Sequence, residues 1–348
     1  MAAMGDSRVS ADAMRPGYPH RGAGTMARWQ HTPSLVAMDD PEHRAIRSMV
    51  TPAFRVKNVE AMRPGIQALT DKLIDDMLAG PNEADLVAAF ALPLPSEVIS
   101  ELLGVPEEYH EFFQELSAVL VNRYSTPEAS IEANMKLIDY LETLIESKRE
   151  NGASDVLSDL ARLVSDGRVA RRRAAELGAF LLFAGHETTA NMIALSAVLL
   201  LRNPDQLEIL KATDDPKVVA SAVEELLRYL TIPHLGRRRV ATENLVIGGQ
   251  EIKAGEGIIC AADAANWDPA VFPDPGKLDL LRDARRHVTF SYGVHQCLGQ
   301  PLARVELQVA LTTLFRRIPT LKVDAALDQL SFKHDGNNNG IYELPVTW

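Results

Sequence analysis

The sequence predicts one mainly α-helical domain over residues 1–348, with a few small β-sheets set late in the chain. Three observations carry that prediction. Of the 348 residues, 46% are hydrophobic, enough to bury one large core. Apolar residues recur at three- and four-residue steps through residues 57–79, 106–122 and 127–150, which is the period of an amphipathic helix. Strand-like material is short and falls in the last third.

Residues 1–34 are rich in Gly, Pro and Met without clear periodicity, and read as irregular. A helical pattern opens at Asp40-Pro41 and is punctuated by Pro52 and Pro64. The longest apolar stretch, Leu177 to Leu201, is interrupted near its middle by His186, Glu187, Thr188, Thr189 and Asn191. A lipid-facing span does not tolerate that, so the stretch predicts a buried helix of a protein outside the membrane. Strands are expected in Arg239–Ile247, in Gln250–Cys260 around a Lys253-Ala254-Gly255 turn, and near Tyr342–Trp348. Asn337-Asn338-Asn339-Gly340 reads as a hairpin turn, because Asn and Gly tolerate positive φ.

With 36 Lys and Arg against 47 Asp and Glu, the net charge of −11 excludes a general nucleic-acid binder. The 2 cysteines, Cys260 and Cys297, with no signal peptide ahead of them, give no disulfide framework and point to the cytoplasm.

Cys297 stands in Phe290-Ser-Tyr-Gly293-Val-His295-Gln-Cys297-Leu-Gly299. After it, Gln300-Pro301 with Leu302, Val305 and Val309 reads as the start of an amphipathic helix, with proline tolerated in its first turn. The sulfur then sits at a helix N-terminus, where free N–H groups and the dipole favour a thiolate. Gly293 and Gly299 would let backbone approach something flat and bulky, and Phe290 could screen the sulfur from water. On these residues alone a buried structural cysteine and a thiol nucleophile with His295 as base both stand. A zinc site is disfavoured because no CxxC or HxxxC companion is present.

Phe290, Gly293, His295, Cys297 and Gly299, continuing into Gln300-Pro-Leu-Ala-Arg304, resemble the haem-binding loop of the cytochrome P450 monooxygenases in their soluble, actinomycete-type bacterial form. The resemblance implies haem b (iron protoporphyrin IX) held between the long distal helix and the helix after the cysteine loop. Cys297 would be the metal ligand, its thiolate pushing electron density onto iron to favour O–O cleavage.

Four further motifs occur in the family's order, so the resemblance runs from about residue 38 to the C-terminus. Ala184-Gly185-His186-Glu187-Thr188-Thr189 looks like the distal acid–alcohol pair. Ala184 and Gly185 would open a groove for O2, and Thr188 and Glu187 would be the catalytic proton-handling residues. Glu225 and Arg228 share a helical face at i, i+3; alone this is a common surface pair. The family buries that pair, and its third partner is expected at Lys277, while Trp267 stands where an Arg is expected. His43 and Arg47, spaced i, i+4, match the family's propionate ligands together with Arg239 and His287, with His295 assisting. Family members usually carry several dozen more residues ahead of the point where this chain begins, so the expectation is either a start site placed late or the loss of part of the substrate-access wall.

The implied reaction inserts one oxygen atom of O2 into an apolar small molecule, by hydroxylation or epoxidation, in natural-product tailoring or xenobiotic oxidation. No flavin or iron–sulfur motif is visible, so electrons are expected from ferredoxin and ferredoxin reductase. Arg44, Arg55, Lys57 and Arg304 would form a local basic docking patch. Substrate is expected against Thr32–Val36, Leu181–Ala184, Ile232–Leu235 with His234, and Asn337–Ile341. The protein is expected to be a monomer without nucleic-acid or membrane partners. The competing readings are a haem-thiolate sensor without turnover and a peroxide-driven hydroxylase.

Overall fold

The computed structural model describes residues 1–233 and 236–348. Helices dominate: α1 (Ala2–Gly5), α2 (Ala23–His31), α3 (Glu42–Val50), α4 (Val56–Ala79), α5 (Pro93–Leu103), α6 (His110–Val121), α7 (Pro127–Glu150), α8 (Val156–Ser165), α9 (Arg171–Leu201), α10 (Pro204–Ala212), α11 (Pro216–Leu230), α12 (Ala262–Asn266) and α13 (Gln300–Arg317). The strands are β1 (Val9–Ser10), β2 (Glu83–Asp85), β3 (Arg237–Ala241), β4 (Leu245–Ile247), β5 (Gln250–Ile252), β6 (Gly257–Cys260), β7 (Lys322–Val323) and β8 (Pro345–Thr347).

Local chemistry sets the helix starts. Thr126 accepts from the Ala129 N–H ahead of Pro127, and Asp155 accepts from the Ser158 N–H. Asp215 does the same for Lys217, again just before a proline. Gly104, at φ 77°, ends α5 in the left-handed region that glycine enters without penalty.

α9 runs 31 residues and is buried along most of its length, which is why its composition is apolar nearly all round. It packs against α5, α7, α8 and α13. The main hydrophobic core extends from Leu35 to Val346, and a smaller cluster of Ala13, Tyr18, Ala37 and Val240 lies apart from it.

The sheets are small and antiparallel, in the orders β1-β3-β6, β2-β8-β7 and β4-β5. The first places Val9 opposite Ala241 and Arg239 opposite Ile258. It also corrects the irregular reading of residues 1–34. That segment holds α1, β1 and α2, and β1 exists because β3 supplies its partner, a long-range contact that leaves no local period.

The asparagine turn is corrected as well. Phe332 and Ile341 bridge across it, but none of Asn337 to Gly340 takes a left-handed φ. Glycine is needed at 340 for space, because a Cβ there would lie 2.2 Å from Asn191 Oδ1.

Candidate functional site

The loop before α13 carries Cys297 at the start of that helix. Its N–H donates to Phe290 O at 2.8 Å, and Gln296 N donates to Gly293 O at 3.0 Å, which coils the segment tightly. Gly293 needs its φ of +76°, and a Cβ on it would sit 3.0 Å from Met4 O. No atom lies within 4 Å of where a Gly299 Cβ would stand, so the backbone beside the sulfur faces open space. Burial pushes the Cys297 thiol up from its ordinary value, while Arg237, the Gly299 N–H, Arg47 and Arg304 pull it down. Phe290 is half-buried, with the Arg304 guanidinium 4.6 Å from its ring centre. Cys260 is a free, half-buried thiol on β6.

Cations converge on this loop from two elements. On β3 successive side chains alternate, so Arg237 and Arg239 share one face while Arg238 points the other way and donates to Pro19 O and His20 O. Arg237 donates from Nη2 to Thr289 O at 3.3 Å, and its buried Nε has no partner. On α3 the His43 ring is fixed by Asp40 through Nδ1 at 3.1 Å, which leaves a buried, unpartnered Nε2. Arg47 donates to Gln296 O at 2.6 Å, and the His43 and His295 rings lie 4.1 Å apart. Burial, then the nearby Arg239 charge, pushes His295 down to about 3. His43, Arg47, His295, Arg239 and Arg237 therefore form one group.

Arg237 was not singled out by the sequence, although the run Arg237-Arg238-Arg239 on a strand puts its first and third members on one face. His287 does not join the group, contrary to expectation. Its Nε2 meets Glu224 Oε2 at 2.9 Å and its Nδ1 accepts the Thr289 N–H at 3.2 Å, so both ring nitrogens are used beneath the loop. Arg304 is engaged there too, Nη2 to Glu224 Oε2 at 3.0 Å, and is not a free member of a docking patch. Arg44 is exposed but bound to Asp40 at 2.7 Å.

In mid-α9, Phe183, Ala184, Gly185 and Thr188 are half-buried between fully buried neighbours, although the helix runs through the core. Thr188 Oγ1 donates to Ala184 O at 3.1 Å. Glu187 Oε1 accepts from Lys333 Nζ at 2.8 Å and from Asn191 Nδ2 at 3.0 Å. Gly185 serves packing, since a Cβ there would lie 2.6 Å from Ile99 Cγ1 on α5.

Below the loop, Arg228 donates to both oxygens of Glu225, at 2.7 and 2.8 Å, with both side chains fully buried. The third partner is Arg282, whose Nε reaches Glu225 Oε1 at 3.3 Å; Lys277 is exposed, offering only its backbone carbonyl to Arg282. A guanidinium five positions from the expected lysine has the reach and the fork that a lysine lacks. The Arg228 Nη1 donates to Asn266 O at 3.0 Å, and Asn266 Nδ2 reaches Thr289 Oγ1 at 2.9 Å, linking α11 to the cysteine loop. Trp267 is explained by its indole N–H, which caps Tyr229 O at 3.1 Å.

A cavity opens beside the first half of α9, bounded by Thr32–Val36, α3, α7 and Phe183. Of the residues expected against substrate, Thr32–Val36 and Phe183 line this cavity; the Ile232–Leu235 expectation falls partly on His234 and Leu235, outside the described residues.

These residues fit a haem. Beside a thiol, two buried nitrogens, His43 Nε2 and the Arg237 Nε–H, have no hydrogen-bond partner among the described residues. Among the described residues no cluster of three His, Cys, Asp or Glu is placed to hold a bare metal ion. None of the described helices is long and apolar enough to cross a membrane.

A family model described as Cytochrome P450 matches residues 17–321. Cytochrome P450 GfsF of Streptomyces halstedii is 52% identical over 349 residues, covering 100% of this chain and 84% of that protein. Its crystal structure superposes with a TM-score of 0.93, covering 100% of this chain and 87% of that one. Pentalenic acid synthase of Streptomyces avermitilis is 45% identical, over 100% of this chain and 86% of its own length. The mycinamicin VIII C21 methyl hydroxylase MycCI of Micromonospora griseorubida, solved with mycinamicin VIII bound, is 37% identical with a TM-score of 0.93, covering 100% of this chain and 88% of that one.

Proposed function

The chain belongs to the cytochrome P450 family of haem-dependent monooxygenases, and from that premise we propose that Cys297 is the proximal ligand of haem b in an enzyme that tailors a natural product. The observation that carries the reading is the sulfur at the start of α13, where burial pushes the thiol up and Arg237, the Gly299 N–H, Arg47 and Arg304 oppose that rise. When bound, haem supplies dioxygen activation and the one-electron chemistry.

The chain's own residues do the rest. His43, Arg47, Arg237, Arg239 and His295 hold the propionate edge through charge-assisted hydrogen bonds. Thr188, on the half-buried face of α9, presents a hydroxyl that can turn from Ala184 O toward the reaction space and pass on a proton. Glu187, next to it, takes protons from the side where Lys333 holds it and hands them to Thr188. Phe290 and Arg304 screen the sulfur from water.

Relatives named for a mycinamicin hydroxylase and pentalenic acid synthase support a natural-product substrate that is hydroxylated or epoxidised. Electrons come from a ferredoxin and its reductase, docking on the face that carries Arg44, Arg55 and Lys57. The enzyme works as a cytoplasmic monomer.

The test is the carbon monoxide difference spectrum of the dithionite-reduced protein. The reading expects a strongly red-shifted Soret band that Cys297→Ser abolishes. Haem bound without that band in the unaltered protein overturns the ligand assignment.

A further inference from the structure

Arg28, on α2, is a charge that has no counter-charge among the described residues, inside the cavity beside α9. Its side chain is 7% exposed, and its guanidinium lies 5.5 Å from the centre of the Phe183 ring. Its hydrogen bond is a long one, 3.4 Å from Nη1 to Leu120 O. The acid that lines the same cavity, Glu176, is taken by Arg173 at 2.8 Å, and Arg173 also holds Glu42 at 2.9 Å. The remaining wall near Arg28 is largely apolar, with Leu35, Val36, Ile46, Ile138 and Phe180 among its residues.

A buried cation of this kind costs free energy unless something pairs with it. Burial lowers Arg28 only to about 10, so the guanidinium stays charged at neutral pH. The cavity is also oriented. Phe180, Ala184 and Thr188 fall at i, i+4 and i+8 on one face of α9, so the wall that begins beside Arg28 continues toward the Thr188 hydroxyl.

We propose that Arg28 anchors a carboxylate of the substrate, making this chain selective for amphiphilic organic acids whose apolar body lies along α9 toward Ala184 and Thr188. The inference deepens the monooxygenase reading and rests on it, because it takes this cavity to be the substrate's. A guanidinium suits the role better than a lysine, since its planar fork meets both oxygens of a carboxylate at once.

The experiment is calorimetric titration of the full-length, haem-loaded protein at neutral pH with dodecanoic, abietic and deoxycholic acids and with their methyl esters, following the Soret band in parallel. At least one acid is expected to bind about tenfold or more tightly than its ester, the range of a charge-assisted bond. Arg28→Gln should bring that ratio near one with ester affinity little changed, and Arg28→Lys should keep part of it. The lysine variant preserves stem and charge, so it reads the same ratio if the glutamine variant does not fold. A ratio near one for every pair in the unaltered protein, from equal binding or from none, overturns the proposal, as does a preference that survives Arg28→Gln. An Arg28-dependent preference that leaves the Soret band unmoved would instead retain the anchor and sink the assignment of this cavity to the substrate.

Discussion

Glu187 and Lys333, 146 positions apart, meet in an ion pair 2.8 Å long, with 11% and 14% of their side chains exposed. Lys333 lies near the ring of Tyr342, 5.6 Å from its centre, and its N–H donates to Gly340 O. The C-terminal turn is thereby tied to the carboxylate beside Thr188.

Lys333→Met removes one partner of a nearly buried pair and leaves Glu187 with Asn191 alone. We expect a loss of about 1–3 kcal/mol of stability, read as a lower thermal midpoint, with Lys333→Arg close to the parent. If Glu187 passes protons to Thr188, the methionine variant also makes less product per NAD(P)H consumed. Unchanged product yield would separate the pair's structural part from the proposed relay.

Arg282 and Lys277 give opposite expectations for one network. Arg282→Met strips a cation from Glu225, which is fully buried, and should cost about 2 kcal/mol or more. Lys277→Ala touches an exposed side chain and should stay within about 0.5 kcal/mol of the parent. Denaturant midpoints of the two variants decide it, and equal losses would return the role to Lys277.

Glu224 links stability to acid. Burial would raise its carboxyl, but the hydrogen bonds from His287 and Arg304 overcome that and hold it at about 2. Its folded value is depressed below the ordinary 4.5, so its contribution is fully present above pH 4.5 and is lost as the pH falls toward 2. Glu224→Gln should flatten the stability profile across that interval while lowering the plateau above it. A variant with the parent's slope there would show that other carboxylates govern the acid limb.

Glu306 acts with the opposite sign. It is 2% exposed on α13, its Oε2 has no partner, and burial raises its carboxyl to about 8. The folded state keeps the proton that the unfolded chain releases above 4.5, so stability falls as pH rises from 4.5 to 8, by up to about 1.4 kcal/mol per pH unit. Glu306→Gln keeps the shape without the charge. Its thermal midpoint should exceed the parent's at pH 8 and match it near pH 5; a parallel shift at both would refute the buried proton.

Much of this was legible because it rests on short-range pattern. The α9 helix, the start of α13 behind Cys297, and the Glu225–Arg228 pair each declare themselves within one or two helical turns. What escaped depends on contacts between distant segments. β1 exists through β3, Arg282 reaches Glu225 across 57 positions, and His287 turns to Glu224 across 63. Arg237 was missed for a different reason: a run of three arginines looks like a solvated charge cluster until the strand's alternation sorts them.

That alternation makes the last prediction. Arg237 and Arg239 face the cysteine loop while Arg238 is spent on backbone carbonyls at residues 19 and 20. If the first two hold haem propionates, Arg237→Leu should speed haem transfer to apomyoglobin roughly tenfold or more, the range for one charge-assisted hydrogen bond. Arg238→Leu should leave that rate nearly unchanged and act on the packing of the N-terminal segment instead. His287→Asn, taken from a residue already bonded to Glu224, should likewise alter acid stability more than haem transfer. Equal acceleration by all three would mean that general loosening, not propionate contact, sets the rate, because of the three only Arg237 belongs to the group of cations around the cysteine loop.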